Sequence, residues 1–298
     1  MDRSERLSGL FAVRAALRKF AERFRVPIVL TAIGAFSLLF ILSAADLSLD
    51  PAGMRWSWLI WAAATVPLAM FANALELALC ARATGRAMPV ETAFICSAAA
   101  TIANVLPLPA GLLVRAKALV GAGAGWIESG KILAAAGLLW LAMATACVGF
   151  ALAPSPRGTL ALVAGTLGCV AIARWTAQRA GQSTSAGFLL VRGAMLGLLA
   201  LRLYFCFQAI GQPVSLQDSA NFMLAGVLGN SVVVVPSGLG IAEGIGAAMA
   251  GLVSVLPAAA FLALGINRLL GLAGSALVVG AHLLLARGKR PATAGRAG

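Results

Sequence analysis

An all-α polytopic membrane protein is the fold class this sequence predicts, with about six full transmembrane helices and two broken, re-entrant helix pairs arranged as inverted repeats. Three observations predict it. The 298 residues are 61% hydrophobic and 11% charged with a mean hydropathy of +0.95, whereas soluble domains carry about a quarter charged residues. Apolar runs long enough for helices crossing a hydrocarbon layer of about 30 Å recur along nearly the whole chain. Finally, two Pro-Gly interruptions divide four of those runs in similar surroundings.

The net charge of +13 sits mainly at the termini and in short loops, the pattern of membrane orientation rather than nucleic-acid binding. Residues 1–26 form a basic segment with Arg3, Arg6, Arg14, Arg18, Lys19, Arg23 and Arg25, and 287–298 form a basic tail with Arg287, Lys289, Arg290 and Arg296. Both ends are therefore expected in the cytoplasm of a bacterial-type inner membrane. The stretch from Leu7 to Phe24 places apolar residues beside arginines at helical spacing. It reads either as an interfacial helix or as a solvated lead-in, and no cleavable signal is expected. One membrane domain then covers 27–286.

Full spans are expected at about 27–45, 56–80, 131–153, 158–173, 187–209 and 258–285. The runs at 91–106 and 110–125 meet at Leu106-Pro107-Leu108-Pro109-Ala110-Gly111. Those at 217–235 and 240–256 meet at Val235-Pro236-Ser237-Gly238-Leu239-Gly240. Proline lacks the N–H a helix needs, and glycine holds the backbone loosely. Inside a membrane such breaks require protein or a water-filled cavity to satisfy the freed backbone groups. Each pair is either a hairpin or two full spans, with the hairpin preferred.

The two interruptions look like copies of one unit. Gly85 precedes Asn104 by the same distance that separates Gly211 from Asn230, and Pro89 with Glu91 matches Pro213 with Asp218, at an offset of about 126 residues. Repeat one is expected at about 56–153 and repeat two at about 187–285. Starting from a cytoplasmic N-terminus, an even number of crossings per broken pair puts Arg82, Arg86, Arg174 and Arg179 inside, as the positive-inside rule requires. The first pair then starts from the cytoplasmic side and the second from the external side, so the repeats are inverted, a pattern associated with alternating access.

Charges at membrane depth need a reason. Glu76, Arg115, Arg202, Glu243 and Arg268 are the candidates, with Glu128, Lys131 and Arg192 nearer the run ends, where snorkelling is the expectation for Lys131 and Arg192. Arg115, Glu243 and Arg268, with Asn104, Asn230 and Asn267, are expected to line one polar cavity at the repeat interface. Pro107, Pro109, Gly111, Pro236, Gly238 and Gly240 supply the helix breaks. Arginine in such a cavity favours an anionic group, because its fork of donors matches phosphate or carboxylate. A structural Arg-Glu pair that only holds helices together is the plainer reading.

Other chemistry is poorly supported. No nucleotide-binding loop of the GxxxxGK[ST] type is present, and Gly121 to Gly125 reads as helix packing. The lone His282 has no metal-site partner. Cys80, Cys96, Cys147, Cys169 and Cys206 read as small buried hydrophobes. No cofactor, no metal, no catalytic constellation and no nucleic acid is predicted, although Glu76, Glu243 and Asp218 are carboxylates an intramembrane enzyme could use.

The stretch Asn104-Val-Leu-Pro107-Leu-Pro109-Ala-Gly111-Leu-Leu-Val-Arg115, the later Pro236-Ser-Gly238-Leu-Gly240-Ile-Ala-Glu243, and Asn267-Arg268 in the last helix follow one another in order. Over roughly residues 27 to 285 the chain resembles the flippase-like transmembrane region of bacterial lysylphosphatidylglycerol synthases, a family with stand-alone members of about this length. The resemblance implies inverted repeats with re-entrant elements. It also implies movement of an aminoacylated or other polar or anionic lipid between leaflets, with Arg115, Glu243 and Arg268 as cavity residues. Lysine attachment would belong to a separate lipid-modifying enzyme, and neutral or glycosylated lipids stay open as substrates. Alternatives are a scaffold for lipid-modifying enzymes, or an intramembrane lipid transferase. Spacings such as Gly193 to Gly197 permit a homo-oligomer.

Overall fold

The computed structural model describes residues 27, 30–49, 52–105, 110–153, 155–231 and 239–288, with the side chains of 230, 231 and 286–288 outside that description. The expected interfacial helix at 7–24, the breakers Pro107, Pro109, Pro236 and Gly238, and most of the basic tail lie outside the described residues, as does the side chain of Asn230.

Among the described residues there are ten helices and no strand: α1 (Leu30–Asp46), α2 (Trp56–Ala83), α3 (Val90–Ala103), α4 (Ala110–Gly121), α5 (Trp126–Ala151), α6 (Pro156–Ala180), α7 (Gln182–Ala209), α8 (Leu216–Ser231), α9 (Ile241–Met249, continued by a 3₁₀ turn at Ala250–Val253) and α10 (Pro257–Gly288). Five of them, α2, α5, α6, α7 and α10, are long and apolar enough to cross a membrane. The chain is thus an all-α polytopic membrane protein. The sixth expected span, α1, is shorter, running from Leu30 to Asp46.

The broken pairs are short because their breaks are real. With 14 residues in α3, 12 in α4 and 16 in α8, these three arms reach about 18–24 Å at 1.5 Å per residue, and α9 with 9 residues less still, all short of the hydrocarbon thickness of about 30 Å. Both pairs fold back as hairpins, and a glycine closes each one. A Cβ on Gly111 would clash with Asn104 Oδ1 and lie 2.5 Å from the Ala100 carbonyl oxygen, so the start of α4 sits on the end of α3. A Cβ on Gly229 would lie 2.6 Å from Ala242 Cα, so the end of α8 sits on the start of α9.

The repeat is visible in backbone detail. The N–H of Gly85 donates to the Arg82 carbonyl and that of Arg86 to the Ala81 carbonyl. The N–H groups of Gly211 and Gln212 repeat this on Gln208 and Phe207, 126 residues later. Gly85 at φ +71° and Gly211 at φ +77° take the left-handed conformation that ends each helix. Proline and an acid follow in both copies, with Glu91 in the first turn of α3 and Asp218 in that of α8.

The equivalent helices α2 and α7 pack together antiparallel. The Arg55 N–H donates to the Ala209 carbonyl, Trp58 stacks on Phe205, Glu76 pairs with Arg192, and Leu79 meets Gly187. Antiparallel equivalents define the repeats as inverted. The rest follows the same two-fold: α3 of one repeat packs on α10 of the other, and α8 packs on α5.

This symmetry reaches further than 56–153 and 187–285. Helix α6 packs on α5 through Gly149, Gly165 and Gly168, and α1 packs on α10 through Phe36, Phe40, Phe261 and Gly265. Helices α1 and α6 are therefore equivalent, and the units are α1–α5 and α6–α10. Both flanking helices lie outermost, where apolar side chains face outward and no charged residue of one helix recurs in the other at the 126-residue spacing of the first pair. In α6 only 11% of the apolar window is buried, against 44% in α2 and α5.

Candidate functional site

A cavity of about 440 Å³ lies between the repeats, lined by residues of α2, α3, α4, α5, α7, α8, α9 and α10. The matched helices offer it matched faces. Val66, Ala69, Asn73 and Glu76 of α2 line it, and so do Arg192, Met195, Leu199 and Arg202 of α7, each 126 residues later. This face recurs at intervals of three or four residues, as one side of a helix must.

Six charged side chains reach the cavity: Glu76, Arg115, Arg192, Arg202, Glu243 and Arg268. They form two groups. In the first, Arg192 of α7 pairs with Glu76 of α2, and its guanidinium lies 4.7 Å from the ring centre of Trp140 on α5. Arg115 of α4 donates to Asn73 Oδ1 at 3.1 Å, and Asn73 is held by its Nδ2 on the Ala69 carbonyl at 2.8 Å. In the second, Arg268 of α10 grips Glu243 of α9 with Nε at 2.7 Å and Nη2 at 3.4 Å. Beside it, Arg202 of α7 donates from Nε to Asn267 Oδ1 at 2.6 Å.

Each group therefore holds one Arg-Glu ion pair and one arginine bound to an asparagine oxygen. Among the described residues, neither Arg115 nor Arg202 has a carboxylate within ion-pair distance. A neutral oxygen can orient a guanidinium but cannot cancel its charge. Arginine cannot shed its proton, so the cavity carries two positive charges beyond those its glutamates balance. In the first ion pair, Glu76 Oε2 and Arg192 Nε are buried without a hydrogen-bond partner among the described residues.

The break residues shape this chamber. The Asn104 side chain accepts the Gly111 N–H at 3.1 Å across the first break, satisfying an amide at the start of α4. Gly240, at φ +80°, turns the chain into α9, and its N–H donates to Glu243 Oε2 at 2.9 Å. Glu243 thus both caps α9 and holds Arg268.

Of the residues picked out in the sequence, Arg115, Glu243, Arg268, Asn104 and Asn267 all line the cavity, with Gly111 at its wall. Arg192 departs from the snorkelling expectation: it is 6% exposed and ion-paired across the helix interface. Its partner Glu76 stands over a hundred residues away, and antiparallel packing alone brings them together. Lys131 is exposed beside Glu128 and Arg179 at a separate shallow surface, and His282 is exposed near the end of α10. Asn73 gave no sign in the sequence, although its place one helical turn before Glu76 is a signal that could have found it. Asp218 is not among the residues that line the cavity and lies in the first turn of α8, where it accepts the Ser215 hydroxyl. Among the described residues no three His, Cys, Asp or Glu side chains gather as a metal site.

Fold and cavity together define the class: an inverted-repeat helical membrane protein with a charged chamber between its halves. No protein-family model matches the chain, and no curated protein matches it.

Proposed function

We propose that this protein moves an anionic or polar lipid between leaflets of a bacterial inner membrane, binding the headgroup in the cavity while the acyl chains stay in the bilayer. The observation that carries this reading is the pair of cationic side chains, Arg115 and Arg202, that line the cavity with no carboxylate within ion-pair distance among the described residues. A charge there costs at least about 2.5–3.5 kcal/mol on insertion scales, and a structural role is met by an ion pair. Arginines left over in a chamber call for an anion from outside the chain.

Three further points support it. The exposed rim of the cavity, Asn104, Leu112 and Gly137, mixes polar and apolar surface, as a headgroup with attached chains requires. Inverted repeats meeting at broken helices suit access from both faces in turn. The sequence resemblance to the flippase-like region of lysylphosphatidylglycerol synthases points to the same activity. With Arg82, Arg86, Arg174 and Arg179 placed in the cytoplasm, the Arg192 end of α7 faces inward and the Arg202 end outward.

The test is exchange of fluorescent phosphatidylglycerol, lysyl-phosphatidylglycerol and a glycolipid between leaflets of proteoliposomes. Headgroup-selective exchange above empty vesicles is expected, falling about tenfold, the equivalent of about 1.4 kcal/mol, in Arg115→Gln. That variant is suitable because the asparagine it abandons is neutral, so no buried charge is orphaned. Exchange equal to empty vesicles with folded protein, for every lipid, would overturn the proposal in favour of a scaffold. Chemical conversion of the lipid would instead point to a transferase.

A further inference from the structure

The two groups that hold Arg115 and Arg202 meet α7 at different heights. Arg192 and Arg202 are ten residues apart on α7, which puts their Cα atoms about 15 Å apart along the helix axis. Each marks a separate charged group. Arg115, Asn73, Glu76 and Arg192 join α2, α4 and α7, whereas Arg202, Asn267, Arg268 and Glu243 join α7, α9 and α10. Within each group one carboxylate faces two guanidiniums, so each group alone carries a single surplus positive charge. One dianion midway would leave both groups poorly matched, and one monoanion in each would neutralise both.

We propose that the cavity holds two phosphodiester subsites in series, one at Arg115 and one at Arg202, each taking one monoanionic headgroup. This rests on the lipid-transport reading and adds the number, charge class and placement of its binding steps. Arg192 and Arg202, which tie the two groups to α7, are separated by about 15 Å along that helix, half the hydrocarbon thickness of about 30 Å, so passage from one group to the other is a step of that order along α7. At the first subsite a phosphodiester oxygen accepts from the donors of Arg115 that Asn73 leaves open, beside the buried Glu76–Arg192 pair. At the second it accepts from the donors of Arg202 that Asn267 leaves open. A guanidinium offers five donors, and Asn73 and Asn267 each occupy one by the contacts described above. A free phosphodiester presents the same chemistry as a lipid headgroup.

The experiment is native mass spectrometry of the full-length protein released from detergent, titrated with phosphatidylglycerol, with zwitterionic phosphatidylcholine, and with dimethyl phosphate as the soluble source. Retention of two phosphatidylglycerol molecules by the unaltered chain is expected, one by Arg115→Gln, one by Arg202→Gln and none by the double variant, with phosphatidylcholine not retained. Arg115→Lys should keep two, because it keeps the charge, and it guards against a misfolded Gln variant. Saturation at one molecule, or a single molecule lost equally in both single variants, overturns the two-subsite assignment. If leaflet exchange persists in that case, the transport proposal stands without it. Retention of two dimethyl phosphates with the same dependence on Arg115 and Arg202, but no lipid, supports the subsites while assigning them a soluble ester and overturning the lipid reading.

Discussion

The two halves of this molecule share a backbone and differ in the charges they place at matched positions of the cavity. At an offset of 126 residues, Glu76 of α2 corresponds to Arg202 of α7, and Val66 corresponds to Arg192. The first half thus contributes an acid where the second contributes a base, and the Glu76–Arg192 pair has Val66 and Arg202 as its symmetry image. The second half restores its own acid from another place, Glu243 at the start of α9. The matched helices build the chamber, and the residues that differ at matched lining positions give it a net positive interior.

The sharpest way to break this comparison is to remove each acid in turn. Glu243→Ala should be the most damaging substitution, at about 3–5 kcal/mol, because it removes the carboxylate that pairs with Arg268 and releases the Gly240 N–H together. Glu76→Ala should cost less, since the Trp140 ring still faces the Arg192 cation. Thermal unfolding in detergent, followed by tryptophan fluorescence, ranks the two. The reverse order would show that the capping contact of Glu243 adds nothing.

Next in size is closure of the hairpins. Gly229→Val drives a side chain into the backbone of Ala242 and should cost near the top of the range of about 1–3 kcal/mol for overpacking. The same melting experiment measures it, and a melting point equal to that of the unaltered protein would mean the second hairpin is open.

The smallest effect tests the symmetry itself. Gly85→Ala and Gly211→Ala meet no neighbouring atom, so each should cost only the strain of its left-handed backbone, about 1–2 kcal/mol, and the two should be equal. Unequal losses would mean the two helix ends are alike in conformation but not in energy.

Much of this was legible beforehand. The six runs, the breaks and the 126-residue offset follow from hydropathy and from where proline and glycine fall, because both are local properties of the chain. Arg115, Glu243 and Arg268 could be singled out because a charge in an apolar run is conspicuous. Arg192 could not be placed correctly, since its position near a run end fits snorkelling as well as burial. The equivalence of α1 and α6 also escaped notice, because a lipid-facing helix is constrained in hydrophobicity and hardly at all in sequence.

By itself the sequence determined that the chain is helical, spans a membrane and repeats with inverted sense, for those rest on helix length, backbone satisfaction in lipid and charge placement. Only the tertiary structure decided which charges cancel. Glu76 reaches Arg192 because α2 and α7 run antiparallel, and Glu243 reaches Arg268 because the second hairpin leans on α10. Arg115 and Arg202 are left with asparagine oxygens by the same packing. Electrostatic pairing depends on distances of a few ångströms between segments far apart in the chain, and those distances exist only once the helices have packed.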